Sequence, residues 1–505
     1  MNQILSDIFL YHPENPMIFT RLFFWGFYML VLLIYSGIYR QRAARNAFLF
    51  AASIFFYWKT SGLFFLILLF STVSDFYLGN LIHRAKRAGW KRFGVVMSVC
   101  VNLLLLSYFK YSYLLVDTIN NLFHLHIQVV NHLALMTNQL AGTHFDVSAI
   151  LLPVGISFYT FQTISYTVDI YRGKVDPVKH ILDFGFYVSF FPQLVAGPIV
   201  RASQFVPQLY KRYSLSKEEF GFALFLILKG LFKKMFIGDY IALNFVDRVF
   251  ANPAGFSGFE NLAALFGYSL QVYVDFSGYT DIAIGVALLL GFRLPKNFNS
   301  PYKATNVGNF WKRWHISLSS WLKDYLYIPL GGNRKGRFRT DVNLMITMLL
   351  GGLWHGASWQ FMIWGGLNGA GIVVYKQWKK ISPYENSNHW AVRFWKIFNT
   401  FVFITFTRIW FRSESMEKAN QLLRQVFHEF NARIIPQVIW SYRLVFGVMA
   451  LGYFTHWVPE QWKLDLLDRF IRTPLWAKVA ITVVVIFIIY QSWSAGLQPF
   501  IYFQF

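Results

Sequence analysis

Long apolar runs separated by short polar loops make up most of this chain, and their lengths fit helices that cross a membrane. The first run covers about 17–36, with Arg21 near its start. It lacks the basic leader and small-residue cleavage site of a signal peptide, so it reads as an uncleaved first helix. Arg40, Arg42 and Arg45 follow it, and a pair of spans then leads to Arg84, Lys86, Arg87, Lys91 and Arg92. Basic clusters between apolar runs mark cytoplasmic loops, which places the N-terminus outside and sends span four outward to about Tyr108. The weakly charged stretch 115–147 then lies outside or on the outer interface, with room for a short interfacial helix.

From Ser148 the pattern is less regular. The apolar segment 184–200 contains Phe190-Phe191-Pro192-Gln193 and Gly197-Pro198, with basic stretches on both sides, 172–180 and 201–217. A straight span would strand one of them on the wrong side, whereas a segment that enters and turns back keeps both inside. Pro192, Gly197 and Pro198 read as the shapers of that turn. The run 261–292 is the second irregular one and also exceeds a single span. It carries Asp275, Ser277, Gly278 and Asp281 near its middle, where lipid-facing carboxylates would cost several kcal/mol, so they are expected to face a polar interior. The run 343–375 is the third. It would make roughly 50 Å of helix against about 30 Å of hydrocarbon, so it has to break or turn. Gly351, Gly352, Gly356, Gly365, Gly366 and Gly369 supply permissive backbone. Its flanks are basic, so it is expected to enter the membrane and return, turning near the glycines around His355 or at Gly365 and Gly366.

Composition agrees with this pattern: the 505 residues are 55% hydrophobic and 14% charged, with 55 Phe and 18 Trp, a surface that a soluble enzyme could not hide. The formal charge of +23 sits in loops where the positive-inside rule puts it, which accounts for it without nucleic acid. Cys100 is the one cysteine, so there is no intrachain disulfide and no cysteine-based zinc site. His124, His126 and His132, at i, i+2 and i+8, do not put three metal ligands on one helix face. Neither a Walker-type loop nor G-x-S-x-G occurs, since Gly155-Ile156-Ser157 is followed by Phe158-Tyr159.

The candidate chemistry centres on His355, alone among uncharged residues in 343–375. An ionisable side chain at membrane depth marks a functional site by default, and irregular backbone there is tolerated only where it is buried in protein or lines a cavity. His355 is expected to face a pocket; the alternative is a neutral histidine bonded to a neighbouring helix. The segment 293–341 holds ten Lys/Arg against two Asp, interleaved with Phe310, Trp311, Trp314, Trp321, Tyr325 and Tyr327, which suits a cytoplasmic interfacial or re-entrant helix. Trp311, Trp314-His315, Leu318 and Trp321-Leu322 follow helical spacing and make one face, on which His315 is either structural or functional. Asp275, Asp281 and Asn306 either line a passage or hold an imidazole from behind, for which Trp314 and Trp354 are candidates too, or else they bind backbone groups freed by glycine breaks. Lys312 and Arg313 either meet a donor phosphate or form a solvated face.

Several of these stretches together carry a family likeness. Phe310-Trp311-Lys312-Arg313-Trp314-His315-Ile316-Ser317-Leu318-Ser319-x-Trp321, Tyr327-Ile328-Pro329-Leu330-Gly331-Gly332-Asn333 and Leu353-Trp354-His355-Gly356 closely resemble the signature of membrane-bound O-acyltransferases, and within them the bacterial alginate O-acetyltransferase type. Leu152-Pro153-Val154-Gly155-Ile156-Ser157-Phe158, Phe191-Pro192-Gln193-x-x-x-Gly197-Pro198-Ile199 and Tyr273-x-Asp275-Phe276-Ser277-Gly278-Tyr279-x-Asp281 add to it, as do Trp410-Phe411-Arg412 and the ending Phe500-Ile501-Tyr502-Phe503-Gln504-Phe505. The stretches before Leu152 and the linker 376–396 match no pattern of the family.

The resemblance implies an all-α polytopic membrane protein with about eleven transmembrane helices, plus re-entrant and interfacial helices, around a central tunnel. Residues 1–147 would form N-terminal spans and an outer segment, 148–375 the catalytic core, 376–396 a cytoplasmic linker and 397–505 C-terminal spans. It implies that His355 is catalytic and that His315 positions the donor or orients His355. The donor would be a cytoplasmic thioester, acetyl-CoA or an acyl-carrier phosphopantetheine, with no permanently bound cofactor. A hydroxyl attacking a thioester needs a general base, and neutral imidazole is the common choice. The expected activity is O-acetylation of an exported polysaccharide at a bacterial cytoplasmic membrane, with an extracytoplasmic acetyltransferase or polysaccharide-assembly partner. D-alanyl transfer toward teichoic acid, or a transporter or flippase with broken helices, are the alternatives.

Overall fold

The computed structural model describes residues 9–141, 146–195 and 197–492, and these are all helical and loop, with no strand among them. The ending 500–505 lies outside the described residues. Three helical stretches, Arg42–Arg84, Ala88–Phe123 and Gly258–Leu289, are long and apolar enough to cross a membrane. The bent pair Ala432–Ser441 and Arg443–Trp457, meeting at 89°, makes a fourth if counted as one span. Leu22–Ile38 and Leu475–Gln491 are apolar but shorter, so length and apolarity alone do not reach the expected eleven.

The first long stretch is two helices, Arg42–Ser61 and Phe65–Arg84, joined at Gly62, whose φ of 61° favours glycine. Phe50 closes on Gly185 and Phe76 packs on Phe184, so both arms meet the helix Ile181–Ser189 and the chain has doubled back, as the basic flanks require. Asp75, on the second arm, accepts from Ser98 Oγ at 2.5 Å and Asn102 Nδ2 at 2.7 Å, which ties it to the helix Ala88–Leu106. The stretch 115–147, expected on the outer side, contains the short helix His132–Ala141.

The segment 184–200 is interrupted where proline and glycine predict it. Ile181–Ser189 stops at Phe190, Phe191–Leu194 makes one further turn, and the described residues from there to Val200 are buried, as irregular backbone at depth must be. Two other expectations need correction. The run 261–292 is not irregular: Gly258–Leu289 is one helix of 32 residues, opened by a Ser257/Glu260 capping box. Its glycines admit a neighbour instead of breaking the helix, since a Cβ on Gly278 would lie 2.8 Å from the Gly230 carbonyl oxygen and one on Gly285 2.6 Å from that of Ala223. Nor do Trp311 to Leu322 share one helical face. Val307–Trp311 and Ile316–Leu322 are separate helices, with the break ending at His315, whose φ is 44°.

The run 343–375 does turn back. Gly336–His355 and Trp359–Ile381 are joined by residues 356–358 and pack antiparallel: a Cβ on Gly352 would lie 2.2 Å from the Phe361 carbonyl oxygen, and one on Gly365 2.4 Å from that of Met348. At the open end Lys376 Nζ reaches Asp341 Oδ1 at 2.8 Å. Helix Trp390–Arg412 follows, so only 382–389 of the linker is non-helical. Glu385 in that loop accepts from the Tyr375 hydroxyl and pairs with Lys396 and Lys379, which holds its carboxyl below the usual range.

Candidate functional site

His355 closes its helix at the turn of the hairpin, 3% exposed. Gly356 follows because a Cβ there would lie 2.0 Å from the Phe361 ring. The rings of Trp354, Trp364 and Phe411 stand edge-on to the imidazole, at 4.9, 5.1 and 5.3 Å between centroids. A narrow cavity of about 20 Å³, room for one or two waters, opens beside it and is lined by Trp314, Trp364, Asn368, Arg408 and Phe411 among others.

His315 approaches from the basic segment 293–341, its ring 6.5 Å from that of His355, 5.9 Å from Trp354 and 4.7 Å from Phe276. It is fully buried and caps the helix Ile316–Leu322, with Nδ1 accepting from the Leu318 N–H at 3.4 Å. A non-glycine residue in the left-handed region costs about 1–2 kcal/mol, and such strain persists only where its surroundings over-determine it. Here the cap and the flanking rings do so, and they hold the imidazole toward His355.

Two residues outside the sequence-derived candidates complete the site. Lys110, in the π-helical turn Ser107–Tyr111, donates to the carbonyl oxygens of Trp354 at 2.6 Å and His355 at 3.1 Å, and the Tyr111 hydroxyl donates to that of Leu353 at 2.8 Å. The last carbonyls of the His355 helix thus receive an amine and a hydroxyl as donors, in place of the helical N–H partners they lack. Arg408 is the second. It is 4% exposed, donates to the Ser269 carbonyl at 3.1 Å and the Tyr302 hydroxyl at 2.6 Å, and lies 4.8 Å from the centre of the Trp314 ring. Among the described residues no carboxylate lies within salt-bridge distance of it, so a buried positive charge faces the His355 cavity balanced only by dipoles and rings.

Of the remaining candidates, the two tryptophans border the site and the polar ones are placed elsewhere. Asp275 pairs with Lys234, which also meets Asp239 at 2.7 Å, and Asp281 pairs with Lys229 and Lys233 at 3.2 and 2.8 Å. Asn306 caps the helix Val307–Trp311 through the Asn309 N–H at 2.7 Å. Trp314 lines the cavity, and Trp354 packs against Phe158 and Phe161 with its indole N–H on the Ser157 carbonyl at 3.4 Å. Lys312 is exposed, and Arg313 is held by Asn309 and the Asn299 carbonyl. Among the described residues no His, Cys, Asp and Glu group has the arrangement of a metal site.

Residues 176–413, which include both histidines, match the membrane-bound O-acyltransferase family, MBOAT. The chain is 42% identical over 356 residues to a probable alginate O-acetylase AlgI of Azotobacter vinelandii, covering 69% of this chain and 67% of that protein. The chain belongs to the membrane-bound O-acyltransferase family. It is an acyltransferase of the membrane, then, and its relatives separate by activity. A peptidoglycan O-acetyltransferase of Helicobacter pylori is 35% identical over 74% of this chain and 72% of that protein. A teichoic acid D-alanyltransferase of Bacillus subtilis is more distant, 30% identical over 50% of this chain and 67% of that protein. In this family member the cap from Lys110 comes from outside the matched core, so the N-terminal helices are part of the site's construction.

Proposed function

We propose that the protein moves acetyl groups from a cytoplasmic thioester toward an exported polysaccharide, with His355 as general base. The acceptor hydroxyl oxygen attacks the thioester carbonyl carbon while His355 takes its proton. The C–S bond then breaks, and the imidazolium returns the proton to the departing thiolate. The observation that carries this reading is the pair of buried histidines, brought from different elements to 6.5 Å, with a narrow cavity beside His355. With its Nδ1 accepting from the backbone, a neutral His315 carries its proton on Nε2 and can donate to the thioester oxygen as negative charge develops there. A positioned base is worth roughly 10²- to 10⁴-fold in rate, and the remainder comes from orientation and from such donors.

The acetyl group is favoured because acetyl-transferring relatives match more of the chain at higher identity than the D-alanyl one. D-alanyl transfer is the second reading. The protein sits in a bacterial cytoplasmic membrane with its N-terminus outside, takes acetyl-CoA or an acylated phosphopantetheine carrier from the inside, and hands the group to an extracytoplasmic acetyltransferase or polysaccharide-assembly partner. The test is acyl transfer by purified protein. His355→Ala is expected to lower turnover by at least about a hundredfold in protein that keeps its wild-type melting profile, and His315→Ala to lower it less. Near-normal turnover in folded His355→Ala would remove the general-base mechanism, and substrate flux without transfer would make the protein a transporter.

A further inference from the structure

Of the side chains that line the cavity beside His355, Arg408 alone carries a fixed charge, and among the described residues none of them is a carboxylate. The helix Trp390–Arg412 turns Ile404, Arg408 and Phe411 to that wall, which is the i, i+4, i+7 spacing of one helical face. Both hydrogen bonds of the guanidinium leave from Nη1, to the Ser269 carbonyl and the Tyr302 hydroxyl. Nε and Nη2 have no protein acceptor among the described residues. Arg412, one turn further on, is different: it pairs with Asp247 at 2.8 Å. Asp275, on the helix that supplies the Ser269 carbonyl, is likewise taken, by Lys234.

Neutral donors such as glutamine amides could make the same two bonds at a lower desolvation cost. What arginine adds is charge, and charge in a narrow cavity that excludes bulk water acts strongly on whatever enters. An acetyl group is neutral. A D-alanyl group carries an ammonium on the carbon next to its carbonyl, so the charge arrives with the carbon that is to be attacked. Two features of the wall could offset it. Asn368 Oδ1 has no hydrogen-bond partner among the described residues, but it is a single neutral oxygen. The ring faces could hold an ammonium, yet Arg408 already lies over Trp314 at 4.8 Å and over Tyr302 at 5.3 Å. An α-ammonium is therefore left facing a like charge. The volume of about 20 Å³ adds a limit on length, since it suits a short acyl group and no long chain.

We infer that Arg408 selects the acyl group by charge, so that the site takes short neutral acyl groups and rejects α-aminoacyl groups. This rests on the acyl-transfer reading for what enters the cavity, and it names the acyl class that the cavity accepts.

The experiment measures equilibrium binding, which needs no turnover. Purified full-length protein is titrated with pantetheine analogues in which N–H replaces the thioester sulfur, so that they resist hydrolysis, and which carry acetyl, D-lactyl or D-alanyl. Lactyl and alanyl differ only in a hydroxyl against an ammonium. Wild type is expected to bind the lactyl amide at least about tenfold more tightly than the alanyl amide. The gap should close as pH rises past about 8, where an α-amino group gives up its proton. Arg408→Gln, which keeps a donor and loses the charge, should bring the two affinities within about twofold of each other, whereas Arg408→Lys should keep them apart. Each comparison is a ratio within one protein, so a general loosening of the site cancels. Equal affinities in wild type, or a gap that survives either neutralisation of the amine or Arg408→Gln, would overturn the proposal and leave Arg408 as a tie between helices. If Arg408→Gln does not fold, the pH series on wild type still decides. Absence of binding by every amide would also overturn it, and acetyl transfer measured on the same preparation separates that failure from failure of the acyl-transfer reading.

Discussion

Lys110 shows how a single residue can set the geometry of a reacting group it does not touch through its side chain. A helix that ends at membrane depth leaves its last carbonyls without helical partners, and here those of Leu353, Trp354 and His355 are met by Tyr111 and Lys110. Removing one partner from a buried polar group costs about 1–3 kcal/mol, because the group left behind cannot return to water. Lys110→Met, which keeps the bulk and loses the donor, should therefore lower the melting temperature. It should also reduce turnover by about tenfold or more, since the helix end that aims His355 is loosened. Thermal melting and steady-state kinetics on the same preparation check this. Wild-type stability with wild-type turnover would show that the two carbonyls find other partners. Lys110 escaped the sequence reading because span four was ended at about Tyr108, which put the lysine in an outer loop. Arg408 is a plainer omission: it stands alone among uncharged residues between Lys396 and Arg412, the same pattern that selected His355.

At the scale of elements, the glycines do more packing than bending. The apolar length of 343–375 and its basic flanks were enough to require a hairpin, and the chain turns beside His355, one of the two places foreseen. Which glycines the hairpin needs could not be read from the sequence, because that depends on how closely the two helices approach. At Gly352 a Cβ would meet the Phe361 carbonyl oxygen at 2.2 Å, whereas at Gly366 it would meet only the Leu349 Cδ2 at 3.4 Å. Gly352→Ala should accordingly force the helices apart and destabilise the protein by about 1–3 kcal/mol or more, with turnover lost as Trp364 shifts from His355. Gly366→Ala should be close to neutral, helped by the better helix propensity of alanine. Comparison of the two melting curves decides between them, and equal behaviour would mean that the contact at Gly352 relaxes at no cost. The same difference between pattern and approach explains the misread run 261–292: its glycines looked like breaks in one dimension, but in three they let the helix at Gly230 lie against Gly258–Leu289.

For the molecule as a whole, the hairpin that carries His355 ties the site to a topology. The Lys376 to Asp341 pair holds both ends of the His355 hairpin together, so whatever side Lys335 occupies, Lys379 shares it. His355 lies at the closed end of that hairpin, against the helix that carries Lys110. The proposed cytoplasmic thioester then requires the open end of the hairpin to face inward. This places strict demands on topology. In a background with Cys100→Ser, Lys335→Cys and Lys379→Cys should resist a membrane-impermeant maleimide applied to intact cells and react once the membrane is permeabilised. His126→Cys, exposed in the segment assigned to the outer side, should react at once. Labelling of Lys335→Cys or Lys379→Cys from outside would invert the hairpin and contradict the cytoplasmic placement of its basic ends. A split result, with one of the pair labelled and the other protected, would contradict the antiparallel packing itself, because no tilt of a closed hairpin separates two ends joined by a 2.8 Å ion pair.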